Sequence, residues 1–271
     1  MPMATCHKQI IQYEEKGHGE PVILIHGVGM DHTMWTKQVD ALSKYYRVIV
    51  YDMLGHGGSD KPPAPYNLSQ FVNQLVALMN VLQVESAHIV GFSMGGMVAQ
   101  AMAIMHPEKV RTLTVMSAVA NRSEQQQKSV LSRVTAVKES GASGTVEPAI
   151  SRWFNKEFID QNKKTINLIR ERLNNNDPSA YLAAYTLFAA ADQELWPMLS
   201  QISHPTLILT GENDIGSTPE MAKAMHSAIP HSKIVIVPEG KHMLPIEMAD
   251  IVNDTIHSFI SSIRRLAKCQ N

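Results

Sequence analysis

The segment Gly91-Phe92-Ser93-Met94-Gly95-Gly96 carries the pattern Gly-x-Ser-x-Gly between an apolar, β-branched run and a stretch of helix formers. A serine on a tight strand-to-helix turn needs a glycine two residues to either side, because neighbouring backbone passes too close for a Cβ. Such a turn lifts the hydroxyl above the carboxyl edge of a parallel sheet, where open α/β sheets bind ligands. The first amides of the following helix then face any negative charge that develops there. The chemistry this predicts is nucleophilic attack by Ser93 on a carbonyl.

A serine hydroxyl needs a base, and the base needs an orienting acid. The stretch 233–242, KIVIVPEGKH, reads as a strand followed by a short loop ending in His242, which that topology opens on the same edge as Ser93. His26 and His56 are also expected near this edge, but each belongs to a glycine-rich turn that explains it structurally. One strand before His242, the run 206–210 leads into Gly211-Glu212-Asn213-Asp214. Asp214 begins the loop and is the expected acid; Glu212 lies close to the strand end and would need a different approach. Capping of the turn before Ser217-Thr218-Pro219 is the competing explanation of Asp214. After the run 112–116 the chain offers Ser117, Ala118 and Asn121 but no carboxylate.

Two amides are expected to hold the oxyanion: that of Met94, and that of Val28 in the turn His26-Gly27-Val28-Gly29. Gly27-x-Gly29, with Asp52 ending the next strand run, also permits a dinucleotide-binding reading, but the third glycine position holds His32. The stretch 52–59, DMLGHGGS, is expected to shape the core, and Asp52 to take no part in catalysis. Neither HExxH nor a tight His/Asp/Cys cluster occurs, so no metal and no cofactor are expected.

These residues require a scaffold of buried parallel strands. Runs at 22–25, 48–51, 88–90, 112–116, 206–209 and 234–237 read as strands covered on both faces. Helical segments at 68–82, 94–105, 221–228 and 246–263 alternate with them, which implies an α/β class with a mostly parallel sheet and helices on both sides. The run 9–13 followed by 14–20 suits an antiparallel edge hairpin. Between 121 and 200 the alternation stops, and helix-forming stretches at 123–139, 146–154, 162–173 and 181–191 replace it. The expected organisation is a core of 1–120 and 201–271 with a helical cap of 121–200. Within the cap, Trp153, Tyr185 and Phe188, with Phe154, Tyr181 and Leu187, are expected to roof a mostly apolar pocket. Arg122, Arg152, Arg170 and Arg172 are available to a substrate carboxylate.

The chain of 271 residues balances 24 Lys+Arg against 25 Asp+Glu, which gives no electrostatic footprint for nucleic acid or an anionic membrane. The expected partner is a small-molecule ester or lactone, with homo-oligomer formation left open. Cys6 and Cys269 stand near opposite ends with no CxxC spacing. With no apolar run of signal or spanning length, they favour a reduced, cytoplasmic location.

HGVG, DMLGHGGSD, GFSMGG, GEND and GKHM follow one another in the order in which the α/β-hydrolase superfamily carries them, and the chain resembles that family over nearly its full length. Within it the chain is similar to small bacterial carboxylesterases and to 3-oxoadipate enol-lactonases, the latter through 177–195, DPSAYLAAYTLFAAADQEL. The resemblance implies ester or lactone hydrolysis by Ser93, Asp214 and His242. Relatives that cleave carbon-carbon bonds carry Asn before the serine motif and Trp after the base, where this chain has Phe92 and Met243. Those two positions count against carbon-carbon bond cleavage without removing it, and it stays an alternative beside perhydrolase or haloperoxidase side activity and a ligand receptor built on the same fold.

Overall fold

The computed structural model describes residues 3–6, 9–141 and 143–269. In chain order the elements are β1 (Met3–Cys6), β2 (Gln9–Lys16), β3 (Pro21–Ile25), α1 (Thr36–Leu42), β4 (Arg47–Tyr51), α2 (Leu68–Val81), β5 (Ala87–Phe92), α3 (Met94–Met105) and β6 (Val110–Met116). Five helices follow: α4 (Glu124–Ser140), α5 (Ser143–Trp153), α6 (Lys156–Gln161), α7 (Lys163–Asn174) and α8 (Pro178–Leu195). The chain then returns through β7 (Thr206–Gly211), α9 (Pro219–Ala228), β8 (Ser232–Val237), α10 (Leu244–Glu247) and α11 (Ala249–Cys269).

The eight strands form one sheet in the order β1-β2-β4-β3-β5-β6-β7-β8. From β4 through β8 all neighbours are parallel, whereas β2 runs antiparallel to both β1 and β4. Burial explains why the inner strands are almost wholly apolar: every residue of β5 and of β7 is buried, as required when helices cover both faces. Alternate residues divide between two cores. Ile23, Ile25, Ile49 and Ile89 pack with α2, α3 and α9; Val22, Leu24, Val48, Val50 and Phe92 pack with α11 and Trp35.

Helix starts follow capping chemistry. Asn67 with Gln70 and Ser123 with Gln126 form reciprocal capping boxes at α2 and α4, and Asp177 and Thr218 cap helices whose first residue is proline. The helices between β6 and β7 straddle the carboxyl edge of the sheet, because α4 and α8 contribute to one core and α5 and α7 to the other.

Three expectations change. The hairpin lies earlier than 9–20: residues 9–16 form one strand, β1 precedes it, and the turn into β3 comes at Gly17 and Gly19, both with positive φ. Charge does not end β2 at Tyr13, since Glu14 to Lys16 pair with β4 and Glu15 meets Arg47 at 2.7 Å. A short helix, α1, follows the His32–Trp35 turn, and the expected helix 246–263 is two helices broken at Met248. The side chains of Cys6 and Cys269 lie outside the described residues. Among the described residues, no helix is long and apolar enough to cross a membrane.

Candidate active site

Ser93 occupies the turn between β5 and α3 with φ 53° and ψ −117°, a left-handed backbone rarely tolerated by a residue with a side chain. Its N–H donates to the Met116 carbonyl at 2.8 Å, which ties the turn to the neighbouring strand. The flanking glycines are sterically obligatory. A Cβ on Gly91 would stand 2.1 Å from the Gly95 carbonyl oxygen, and one on Gly95 would stand 2.3 Å from that of Ile25. The helix start is thereby pressed against the loop after β3, where a Cβ on Gly27 would lie 3.3 Å from the Ser93 Cβ.

The loops after β7 and β8 bring Asp214 and His242 together. Asp214 Oδ2 lies 2.7 Å from His242 Nδ1, and both residues are buried. The other carboxylate oxygen, Oδ1, accepts from the Gly216 and Ser217 amides at 2.9 Å each. Turn capping and orientation of the imidazole are therefore compatible, with one oxygen for each. Glu212 is committed elsewhere: its Oε2 accepts from the Glu239 amide at 3.0 Å.

Ser93, Asp214 and His242 line one cavity of about 40 Å³ together with Val28, Gly216, Ser217, Arg122, Arg133, Arg152, Trp153, Tyr185 and Phe188. Among the described residues no hydrogen bond joins Ser93 Oγ to His242, a contact that in a ligand-free site often tightens only when substrate is present. The Phe92 ring lies 5.0 Å from the imidazole and Trp153 stacks on it at 6.0 Å. Met94 begins α3, so its amide has no carbonyl four residues back within the helix. The Val28 amide lies in the facing loop.

The competing histidines are occupied. His26 Nδ1–H donates to the Gly27 carbonyl at 2.7 Å while Nε2 accepts from the Met53 amide at 2.8 Å. Burial lowers its pKa to about 4, and lowers that of His56, which donates to the Leu54 carbonyl, to about 3. Asp52 meets His32 at 2.6 Å and accepts from the Gly58 amide at 2.7 Å. Burial, the largest single influence, would raise the Asp52 pKa, but the hydrogen bonds from His32 and the neighbouring imidazoles of His32 and His26 together outweigh it and leave the value at about 2. Both oxygens of that carboxylate are thereby held within its own surroundings, by His32 and by the Gly58 amide.

The helices between β6 and β7 are tied to the loops that line the cavity. Arg172 pairs with Asp31 at 2.8 Å and Asn176 donates to the Gly29 carbonyl at 2.9 Å, so the end of α7 holds the loop that carries Val28. At the end of α5, the Met243 amide donates to the Trp153 carbonyl at 3.2 Å, and Lys241 Nζ to the Phe154 carbonyl at 3.0 Å. The loop carrying His242 is thus tied to the helix carrying Arg152 and Trp153.

The expected apolar roof needs correction. Trp153, Tyr185 and Phe188 do line the cavity, but Phe154 is wholly buried against Phe158 and Leu187 belongs to the core. Three guanidinium groups join the lining, so charged side chains share it with the aromatic rings. Arg170 pairs with Glu147 on the surface and Arg172 with Asp31, so of the four expected arginines only Arg122 and Arg152 reach the cavity. Arg133 was not expected. Its signal is its place on α4 three residues after Val130 and four before Val137, both buried, which puts it on the inward face.

The chain belongs to the α/β-hydrolase family: the family model described as alpha/beta hydrolase fold matches residues 20–249. It is similar to a hydrolase of Acinetobacter baylyi named for (E)-2-((N-methylformamido)methylene)succinate, with 31% identity over 96% of this chain and 97% of the relative. Among solved structures, the enol-lactonase from Burkholderia xenovorans LB400 superposes with a TM-score of 0.89 at 26% identity, covering 96% of this chain and all of the other (100%). A thermophilic esterase from Thermogutta terrifontis, with malate bound, gives 0.87 at 28% identity, covering 97% and 98%.

Proposed function

We propose that this hydrolase cleaves carboxylic esters through a Ser93-His242-Asp214 triad and an acyl-enzyme. The carrying observation is the 2.7 Å contact between Asp214 and His242 in the cavity that also exposes Ser93 on its strained turn. Ser93 Oγ attacks the carbonyl carbon while His242 Nε2 takes its proton, and the Val28 and Met94 amides hold the oxyanion. Collapse breaks the carbonyl carbon–oxygen bond and His242 returns the proton to the leaving alcohol. Water, deprotonated by His242, then releases the acid and frees Ser93. Asp214 holds the imidazole in the tautomer that presents Nε2 as acceptor, Nδ1–H being donated to Oδ2.

In this reading the helices of 121–200 act as a cap over a core of 1–120 and 201–271. A lactone is an internal ester and undergoes the same steps with the alcohol still attached, and the likeness to an enol-lactonase supports it as a second substrate form. Two of the relatives are named with dicarboxylates, a substituted succinate and malate. Purified protein is expected to hydrolyse short p-nitrophenyl esters, and Ser93→Ala to lose nearly all of that rate; full activity in the variant would overturn the assignment.

A further inference from the structure

Five arginines lie in the segment 121–200, and their partners divide them. Arg122 is paired with Asp192 at 2.6 Å, both side chains almost wholly buried. Arg170 and Arg172 pair with Glu147 and Asp31. Arg133 and Arg152 form no ion pair among the described residues, although both are partly buried. Among the described residues Arg133 donates to Ser129 Oγ alone, at 3.2 Å, with its Nε buried and unpartnered; Arg152 donates to the Pro148 carbonyl at 3.4 Å.

These two side chains also share a place. Both line the cavity of Ser93 and His242, and both line a second cavity of about 150 Å³ between α4, α5 and α8, where Thr145, Tyr181 and Tyr185 accompany them. Among the described residues, Asp214 is the sole carboxylate in either lining, and its two oxygens are taken by His242 and by the Gly216 and Ser217 amides. A guanidinium stays charged in a protein and is costly to hold away from water without an anion. Two of them at one junction leave an excess of positive charge beside the reacting serine.

We propose that Arg133 and Arg152 form a carboxylate-binding subsite, so that the substrate is an ester or lactone bearing a second, ionised carboxyl group. The reacting end of that substrate rests on the hydrolase reading above; the anionic end rests on the arginines alone. Planar guanidinium forks match a carboxylate by paired N–H donors. Arg152 is placed in advance, because the carbonyls of the two residues after it are held by the loop carrying His242. The distance between charge and scissile bond is thereby fixed, which makes these arginines specificity-determining residues.

The test uses monomethyl esters of succinic, glutaric and adipic acids against neutral methyl esters of matched chain length. Wild-type protein is expected to favour at least one anionic ester by about tenfold or more in kcat/KM, the scale of a charged hydrogen bond. Arg152→Gln and Arg133→Gln should raise KM for that ester at least tenfold more than for its neutral partner, with Arg152→Lys recovering part of the preference. Equal losses on both esters, or no preference in the wild type, would overturn the subsite while leaving the hydrolase reading intact. If no ester turns over, calorimetric titration of glutarate decides: binding by the wild type that Arg152→Gln abolishes supports the subsite, and no binding overturns it.

Discussion

The sheet edge and the helical insertion face each other across one small cavity and supply it by different physical means. The edge offers backbone-fixed geometry: a serine at φ 53°, glycines with no room for a Cβ, and an aspartate pinned by two amides. The insertion offers long side chains, Arg133, Arg152, Trp153 and Tyr185, whose placement depends on how helices pack. Under the proposed function, bond-breaking falls to the edge and substrate choice to the helices of 121–200. Changes at the edge should therefore slow every substrate alike, and changes in the insertion should reorder substrates.

The strongest break would come at the edge. Asp214→Asn should lower kcat by about 10⁴ on neutral and anionic esters alike, since the amide no longer accepts from His242 Nδ1–H and the imidazole loses its tautomer. Steady-state rates on a matched ester pair read this directly, and a loss confined to one member would contradict the division. Within the insertion, Asp192→Asn leaves the Arg122 charge buried beside a neutral group. A destabilisation of about 3–5 kcal/mol in urea unfolding is expected, as for other buried pairs broken from one side. A negligible change would mean that Arg122 is free to serve substrate and that the cavity holds three available cations.

Gly95→Ala tests the seam between the regions. Its Cβ would meet the Ile25 and His26 carbonyl oxygens at 2.3 and 2.4 Å, and backbone cannot yield as a side chain does. A loss of about 1–3 kcal/mol, typical of overpacking, should accompany a fall in kcat as the Met94 amide moves. Normal stability and rate would show that the helix start is not confined as described.

The smallest effect concerns pH. His26 and His56 are held neutral by burial, with pKa values lowered to about 4 and 3 from 6.5, so the unfolded chain takes up protons first as pH falls. Their stabilising contribution is complete well above pH 6.5, begins to decline as pH falls toward 6.5, and continues to be lost down to the folded-state values of about 4 and 3. His32, with its pKa raised because Asp52 outweighs the cost of burial, works in the opposite sense. Urea midpoints should nonetheless fall over this range, while a rise would show that the Asp52-His32 pair dominates.

The sequence disclosed the edge because steric necessity leaves a pattern in the chain. Gly91 and Gly95 must be glycine, buried strands must be β-branched or aliphatic, and the loops ending in Asp214 and His242 follow such strands at short distance. The insertion was legible as helices but not as a binding surface. Arg133 lies on a helix that is mostly polar, where Val130, Val137 and the half-buried Val134 mark the inward side. Phe154 and Leu187 looked as suitable for the roof as Trp153 and Phe188, because composition does not say which face of a helix meets the cavity. The continuation of β2 past Tyr13 escaped for a related reason: Glu14 to Lys16 lie near the sheet's margin, where charged side chains find solvent or an ion pair without ending the strand.

The central claim is that one serine, held by the sheet edge, carries the covalent step. Treating the protein with a fluorophosphonate and mapping the adduct by mass spectrometry tests it most directly. The account predicts one adduct per chain, on Ser93, formed in step with loss of esterase activity and absent from Ser93→Ala. Labelling of another residue with activity lost, or full labelling with activity retained, would contradict it.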